Sequence, residues 1–161
     1  MAREIERKFL VKKESFKPTG DGEYIAQGYL SSTPERTVRV RIKDHRGYLT
    51  VKGKNTGISR SEFEYEIPES DAKELLELCE PSIIVKHRYN INVNGSNWEV
   101  DLFEGDNEGL IVAEIELKSE NETFSKPNWV GEEVSFDSRY YNSKLSKKPF
   151  KFWSQEKGIK G

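Results

Sequence analysis

Hydrophobic and polar residues alternate along most of the first 118 residues of the chain. In T-V-R-V-R-I-K at 37–43, for example, valine and isoleucine take one set of alternate positions and charged residues take the other. A two-residue period is typical of β-strands, because successive side chains point to opposite faces. The pattern predicts eight strands, at about 3–11, 23–31, 36–43, 47–53, 61–67, 83–93, 97–104 and 110–118.

Short polar segments that favour turns separate these strands. The sequences D-H-R-G at 44–47 and N-G-S at 94–96 are typical of hairpin turns, so neighbouring strands are expected to run antiparallel. A helix is predicted after the fifth strand, in S-D-A-K-E-L-L-E-L-C, with Ser70 as its N-cap and Pro81 as the residue that stops it. The pattern therefore predicts antiparallel strands and one main helix.

Beyond residue 119 the sequence has no regular period. P-N-W at 127–129 and R-Y-Y-N at 139–142 suggest short helices in an irregular segment at about 120–148, followed by a tail at 149–161. A chain of 161 residues without internal repeats is expected to form one domain, residues 1–161, around one core. The predicted fold class is mainly β (α+β), with a few flanking helices.

Composition limits the classes of function that the sequence allows. Hydrophobic residues make up 34% and charged residues also 34%, yet the formal net charge is only −2, so no global basic field attracts nucleic acid or an anionic membrane. No stretch approaches the roughly 20 apolar residues of a membrane span, and residues 1–12 lack the apolar run of a signal peptide. We therefore expect a cytoplasmic protein without nucleic-acid or membrane partners.

The charged positions within the predicted strands come in pairs of like sign. The pairs, each two positions apart on one strand face, are Glu4 and Glu6, Arg39 and Arg41, Lys86 and Arg88, and Glu114 and Glu116. Like charges on one face repel each other, whereas a face that simply meets water tends to mix signs. Periodicity does not determine which face lies inside, so a sheet with one wet, charged face remains an alternative.

Charged faces that point inward would have a specific use. Removing ions from water is costly, so such an interior must be wide, hydrated and mutually compensated, as in an open channel. Arginine and lysine suit phosphate oxygens, and carboxylates suit Mg²⁺ or Mn²⁺ better than zinc. A polyphosphate held by cations on one wall and bridged through metal to carboxylates on the other would satisfy both sets of charges.

The sequence also resembles the CYTH superfamily, the triphosphate tunnel metalloenzymes. The matching segments are E-I-E-R-K at 4–8, which fits the ExExK signature, Q-G-Y-L at 27–30, R-V-R at 39–41, V-K-G-K at 51–54, S-R-S-E-F-E-Y-E-I at 59–67, K-H-R-Y at 86–89, W-E-V-D at 98–101, A-E-I-E-L at 113–117 and R-Y-Y-N at 139–142. The resemblance implies an eight-stranded antiparallel closed tunnel barrel that binds triphosphate groups with divalent metal. For short bacterial members it implies hydrolysis of inorganic tripolyphosphate to diphosphate and phosphate.

Individual roles follow from the same resemblance. It implies that five carboxylates face the metal: Glu4, Glu6, Asp101, Glu114 and Glu116. It implies that six cations bind the triphosphate: Lys8, Arg39, Arg41, Lys52, Lys86 and Arg88. Water activation or proton transfer is assigned to Tyr29 and Lys52, and Glu62 and Glu64 are expected to orient the cations or the attacking water.

Other functions remain open at this stage. Class IV adenylyl cyclases share the superfamily, but they often carry a His-Phe element before ExExK, and only three residues precede Glu4 here, so hydrolysis is expected. Thiamine triphosphate and nucleoside triphosphates are alternative substrates, and a non-catalytic polyphosphate-binding module is an alternative function. A homodimer contact through strand aromatics such as Trp98 and Tyr65 is also left open, as is their burial under helices.

Overall fold

The structure, a computed structural model, describes residues 3–153. Its nine strands are β1 (Arg3–Val11), β2 (Glu23–Thr33), β3 (Arg36–Lys43), β4 (Arg46–Gly53), β5 (Ser59–Ile67), β6 (Glu80–Val93), β7 (Ser96–Phe103), β8 (Ile111–Glu116) and β9 (Val130–Glu133). Its α-helices are α1 (Glu69–Glu77) and α2 (Asn142–Leu145), and short 3₁₀ helices lie at Lys13–Ser15, Gly105–Asn107, Ser138–Tyr140 and Phe150–Phe152. Most of the predicted tail, residues 154–161, lies outside the described residues.

Eight of the strands close into an antiparallel barrel. The order β5-β4-β3-β2-β6-β7-β8-β1 forms a ring because β1 pairs with β8 along one edge and with β5 along the other. The short β9 adds to the free part of that second edge, beside the end of β1. The predicted closed eight-stranded barrel is confirmed, with β9 as an addition that the sequence pattern did not predict.

The turns and caps agree only partly with the prediction. Both predicted hairpin turns form: Asp44, His45 and Asn94 adopt positive φ angles of 53°, 60° and 52°, as tight two-residue hairpins require. The predicted N-cap was wrong, because the helix begins at Glu69 and Pro68 occupies the capping position. Pro81 does not stop the helix either, since α1 ends at Glu77 and Pro81 lies in β6.

The irregular segment contributes less helix than predicted. P-N-W at 127–129 forms no helix and instead turns the chain into β9. R-Y-Y-N at 139–142 does overlap a 3₁₀ helix and the start of α2, as predicted. Neither segment belongs to a strand of the barrel, and tertiary packing rather than local propensity determines the conformation of both.

An apolar cluster covers the outer surface of β1, β7 and β8. Trp98 is fully buried there, with its ring edge-on to Phe9, Phe124 and Trp129 at centroid distances of 5.6, 5.8 and 5.8 Å. Such aromatic pairs favour edge-to-face contact. Trp98 is therefore not available for a dimer contact, and a loop rather than a helix covers it. Tyr65 on β5 is exposed, and the homodimer stays a prediction.

A second apolar cluster fills one end of the barrel interior. It lies on the inward face because its strand residues stand two positions from charged cavity residues, for example Ile84 from Lys86 and Val112 from Glu114. Leu145 and Trp153 of the C-terminal segment pack into the same cluster. The barrel interior is thus charged along only part of its length, and apolar side chains close its other end. The charge pattern had instead predicted an open channel.

The helix α1 packs closely on the outer surface of the barrel at Gly47. A Cβ atom at position 47 would lie 2.7 Å from the Ala72 Cβ and 3.0 Å from the Ile67 carbonyl oxygen. We expect Gly47→Ala to lower the free energy of unfolding by about 1–3 kcal/mol, because the helix must move outward. Urea denaturation measures this loss. Gly53→Ala is the matched control, since its Cβ meets nothing closer than 3.5 Å, and an equal loss in both variants would contradict the close packing.

Candidate active site

A cavity of about 320 Å³ occupies the charged part of the barrel. It is lined by all but one of the residues proposed from the sequence: Glu4, Glu6, Lys8, Tyr29, Arg39, Arg41, Lys52, Glu62, Glu64, Lys86, Arg88, Glu114 and Glu116. The charged faces therefore point inward as predicted, and the alternative of a wet outer charged face is wrong. The roles of the individual residues stay predictions.

Strand register places opposite charges beside each other in the cavity wall. Lys8 on β1 is opposite Glu114 on β8, and Arg88 on β6 is opposite Asp101 on β7. Neighbouring strands in a barrel lie about 5 Å apart, so opposed side chains interact directly. The Lys8 ammonium lies 3.5 Å from the Glu114 carboxylate. These two pairs are thus compensated across strands, whereas Glu6 lies opposite Glu116 and Glu99 lies opposite Glu114, so that part of the wall stays acidic.

Asp101, the predicted residue that does not line the cavity, lies behind the cationic wall, which Arg39, Arg41, Lys86 and Arg88 form. Its carboxylate accepts two hydrogen bonds from the Arg88 guanidinium, at 2.8 and 2.9 Å, and lies 2.8 Å from the Lys86 ammonium. Burial alone would raise the pKa of Asp101, but Lys86 and Arg88 outweigh it and hold the pKa well below its ordinary value. Asp101 is therefore a buried counterion that both cations share.

The cations of this wall are held in a strongly desolvated environment. Burial lowers the pKa of Lys86 to about 7, although Asp101 opposes the change. Burial, together with the positive charges of Arg39 and Arg88, lowers the pKa of Arg41 to about 9. Charge concentrated without full neutralisation favours binding of an anion, because the anion would relieve the repulsion among the cations.

The opposite wall is acidic. Burial raises the pKa of Glu6 well above its ordinary value, and the neighbouring Glu114 and Glu4 raise it further. Burial and the charge of Glu4 raise the pKa of Glu116 in the same way. Repulsion of this kind among carboxylates is relieved by a bound cation. The oxygen donors present therefore fit a hard divalent ion such as Mg²⁺ or Mn²⁺.

Two of the cavity carboxylates, however, already have lysine partners: Glu114 lies beside Lys8, and Glu4 pairs with Lys52. The Lys52 ammonium donates to both oxygens of Glu4, at 2.8 and 3.0 Å, and lies 3.8 Å from Glu62. Within residues 3–153, no three acidic, histidine or cysteine side chains converge closely enough to chelate an ion in this arrangement. A metal would thus bind through carboxylates that first exchange these ammonium partners.

Some buried polar atoms of the cavity lining have no partner. Among residues 3–153, these are Nε of Arg39, Nε of Arg60 and Oδ1 of Asn55. A buried donor or acceptor without a partner is costly, so native proteins generally pair it with a ligand or water. Arg39 and Arg60 both line the cavity, so reorientation of their guanidinium groups towards an anionic ligand there would supply the missing acceptors.

Several lining residues were not predicted from the sequence. These are Thr37, Lys43, Asn55, Gly57, Ile58, Arg60, Asn97, Glu99, Ser135, Tyr141, Asn142 and Ser143. Arg60 and Glu99 had a usable signal, because each stands two positions from a predicted residue on the same strand face. Tyr141 and Asn142 had no periodic signal, since they enter the cavity from the C-terminal segment and not from a barrel strand.

Comparisons with known proteins agree with this architecture. The CYTH domain profile matches residues 2–149. An inorganic triphosphatase of Acetivibrio thermocellus is 52% identical over 152 residues, which cover 94% of this chain and 97% of that protein. An inorganic triphosphatase of Nitrosomonas europaea is 36% identical, over 89% of this chain and 96% of that protein.

Solved structures show the same fold. A crystal structure described as an inorganic triphosphatase superposes with a TM-score of 0.64 at 32% identity, covering 88% of this chain and 96% of that one. A putative adenylate cyclase from Bacillus halodurans superposes with a TM-score of 0.59 at 20% identity, which is evidence for the fold alone. No helix within residues 3–153 is long and apolar enough to cross a membrane. With the profile match across most of its length and two close relatives, this chain belongs to the CYTH domain family.

Proposed function

We propose that the protein is a metal-dependent triphosphatase that hydrolyses inorganic tripolyphosphate to diphosphate and phosphate. The observation that carries the proposal is the cavity of about 320 Å³ inside the barrel, with a cationic wall and an acidic wall facing one space. A linear polyphosphate with several bound cations matches both walls. The inorganic triphosphatases at 52% and 36% identity support the same substrate class.

The residues of the cationic wall supply what phosphoryl transfer most needs. Charge spreads over the oxygens of the transferred group, so catalysis depends on positioning and electrostatic stabilisation more than on a covalent nucleophile. Arg39, Arg41, Lys86 and Arg88 line the cavity and bind the phosphate oxygens, and Lys8 extends this set from β1. Most of these cations are buried, so their attraction for phosphate is strong.

The acidic wall would hold Mg²⁺ or Mn²⁺ through Glu4, Glu6, Glu114 and Glu116. A bound divalent ion there supplies neutralisation of phosphate charge and polarisation of the attacking water. Asp101 is better suited to positioning Lys86 and Arg88 than to binding metal, because both of its oxygens already accept from these cations. Tyr29, which is buried at the cavity, and Lys52 are the proposed groups for proton transfer.

A nucleotide is a less suitable ligand for this cavity. Purine rings bind to apolar or aromatic surfaces, and the lining within residues 3–153 offers only Ile58 and the rings of Tyr29 and Tyr141 amid charged and polar side chains. Inorganic tripolyphosphate is therefore proposed as the preferred substrate over ATP. The cytoplasmic location and the single domain of residues 1–161 stay predictions.

A substrate panel tests the proposal. We expect orthophosphate release from tripolyphosphate with Mg²⁺ or Mn²⁺, less release from ATP and thiamine triphosphate, and no cyclic AMP. Arg88→Met should lose the activity, because a buried phosphate ligand is removed, whereas the exposed Arg36→Met is the matched control. Cyclic AMP formation from ATP without phosphate release from tripolyphosphate would favour a cyclase. Tight tripolyphosphate binding without turnover would favour a non-catalytic module.

A further inference from the structure

Two segments that carry the family resemblance contain a buried or half-buried amide to which no role has been assigned. Gln27 on β2 is fully buried behind the cavity wall, and Asn142 begins α2 and lines the cavity. The two residues are 115 positions apart in the chain. Nevertheless, Gln27 Nε2 donates to Asn142 Oδ1 at 3.4 Å. The contact joins the barrel wall to the C-terminal segment.

Each amide also holds one cation of the cavity. Gln27 Oε1 accepts a hydrogen bond from Arg41 Nε at 2.7 Å, and Asn142 Oδ1 accepts one from Lys86 Nζ at 3.1 Å. The contacts form a continuous chain from Arg41 through Gln27 and Asn142 to Lys86. Three strands (β2, β3 and β6) and the C-terminal segment are thereby tied together by side chains around the cationic wall.

Amides are suited to orienting a cation that must still bind an anion. A carboxylate in the same place would neutralise much of the positive charge, whereas a neutral amide oxygen satisfies one donor and leaves the charge in place. A guanidinium has five N–H donors and an ammonium has three, so Arg41 keeps several donors for phosphate oxygens, and Lys86, which also lies 2.8 Å from the Asp101 carboxylate, keeps one. The full burial of Gln27 leaves it little freedom to move, so the orientation of Arg41 is fixed before a ligand arrives.

We propose that Gln27 and Asn142 are positioning residues that form an amide bridge, which orients Arg41 and Lys86 for the triphosphate and makes the C-terminal segment part of the substrate site. This inference rests on the proposed function, because it takes tripolyphosphate as the ligand of those two cations. The bridge acts on the binding of tripolyphosphate, which precedes hydrolysis. It therefore predicts an effect on tripolyphosphate affinity that is measurable without any metal or turnover.

Calorimetric titration with tripolyphosphate in EDTA tests the bridge. Gln27→Met and Asn142→Leu keep size but remove the hydrogen bonds, and each should weaken binding about tenfold, as expected for loss of a hydrogen bond to a charged group. The double variant should lose much less than the product of the two single losses, because one bridge is broken in each case. Asn121→Leu, in an exposed loop, is the matched control and should bind as the wild type does.

A second background separates positioning from a merely structural role. In Arg41→Met, the guanidinium that Gln27 orients is absent, so adding Gln27→Met should weaken binding much less than it does in the wild type, with the remaining loss coming from its contact with Asn142. An equal loss in both backgrounds, or wild-type affinity for both single variants, would overturn the bridge. Wild-type protein that neither binds tripolyphosphate in EDTA nor releases orthophosphate from it with Mg²⁺ or Mn²⁺ would instead contradict the proposed function, so the two failures are distinguishable.

Discussion

Replacing Glu6 with glutamine is expected to reduce tripolyphosphate hydrolysis by about a hundredfold or more without weakening the fold. The carboxylate belongs to the acidic wall that would hold the divalent ion, and removing one such electrostatic element from an enclosed site typically costs a factor of this size. Burial, together with Glu114 and Glu4, already raises the pKa of Glu6, so the charged carboxylate is disfavoured in the folded protein. The free energy of unfolding should therefore be unchanged or higher in Glu6→Gln.

Two measurements on the same variants test this trade-off between activity and stability. Steady-state kinetics with Mg²⁺ and with Mn²⁺ gives the activity loss, and urea denaturation gives the free energy of unfolding. Glu35→Gln, at an exposed turn, should change neither. A Glu6→Gln protein that hydrolyses tripolyphosphate at the wild-type rate would remove Glu6 from the metal site. One that unfolds much more easily would show that its carboxylate stabilises the fold.

The sequence predicted the barrel strands well because most of them alternate with a two-residue period, as β3 does at Arg36–Lys43. Charge pairs such as Arg39 with Arg41 marked the faces, and the hairpin turns at Asp44 and Asn94 fixed antiparallel neighbours. Alternation alone left the direction of the charged face open. In the structure the charged face points inward because the irregular segment covers the apolar face: its Phe124 and Trp129 bury Trp98 on the outside of the barrel. A strand pattern carries no information about such a cover.

Contacts between distant segments could not be predicted from the pattern. Gln27 and Asn142 lie in segments that carry the family resemblance, but nothing in the alternation of residues links the two, and only the fold brings them together. The same holds for the apolar end of the cavity, where Leu145 and Trp153 seal the barrel below the charged layer. Aperiodic segments are positioned by tertiary packing, so their contributions to a site appear only when the whole chain is folded.

The position of Asp101 illustrates how a correct charge pattern leaves a role undecided. Asp101 lies on the same face of β7 as Glu99, and the family resemblance placed it among the carboxylates that face the metal. The face of a strand on which a residue lies does not determine how deeply its side chain is buried, however. Asp101 is only 3% exposed, and it lies behind Lys86 and Arg88 rather than on the cavity surface. A carboxylate that neutralises two cations fixes their positions, whereas one that faces the cavity is free to bind an ion. The two roles predict different consequences of its removal.

Replacing Asp101 with leucine is expected to lower the free energy of unfolding by about 3–5 kcal/mol, the usual cost of leaving a buried partner charge uncompensated. Lys86 is fully buried and Arg88 is nearly so, and both would lose their shared counterion. Urea denaturation checks this value. Asp106→Leu is the matched control and should cost less than about 1 kcal/mol, because the half-exposed carboxylate of Asp106 pairs with Lys151 at the surface.

The conservative variant Asp101→Asn separates the positioning role from metal binding. An amide oxygen still accepts from one cation, so enough folded protein should remain for kinetics. As a positioning residue, Asp101 then affects substrate: KM for tripolyphosphate rises about tenfold or more, as expected when charge-assisted hydrogen bonds are lost, while the Mg²⁺ concentration for half-maximal rate stays near the wild-type value. A selective rise in that Mg²⁺ concentration, with KM unchanged, would instead place Asp101 among the metal ligands. Because the carboxylate oxygens already lie 2.8–2.9 Å from Lys86 and Arg88, we expect the first result.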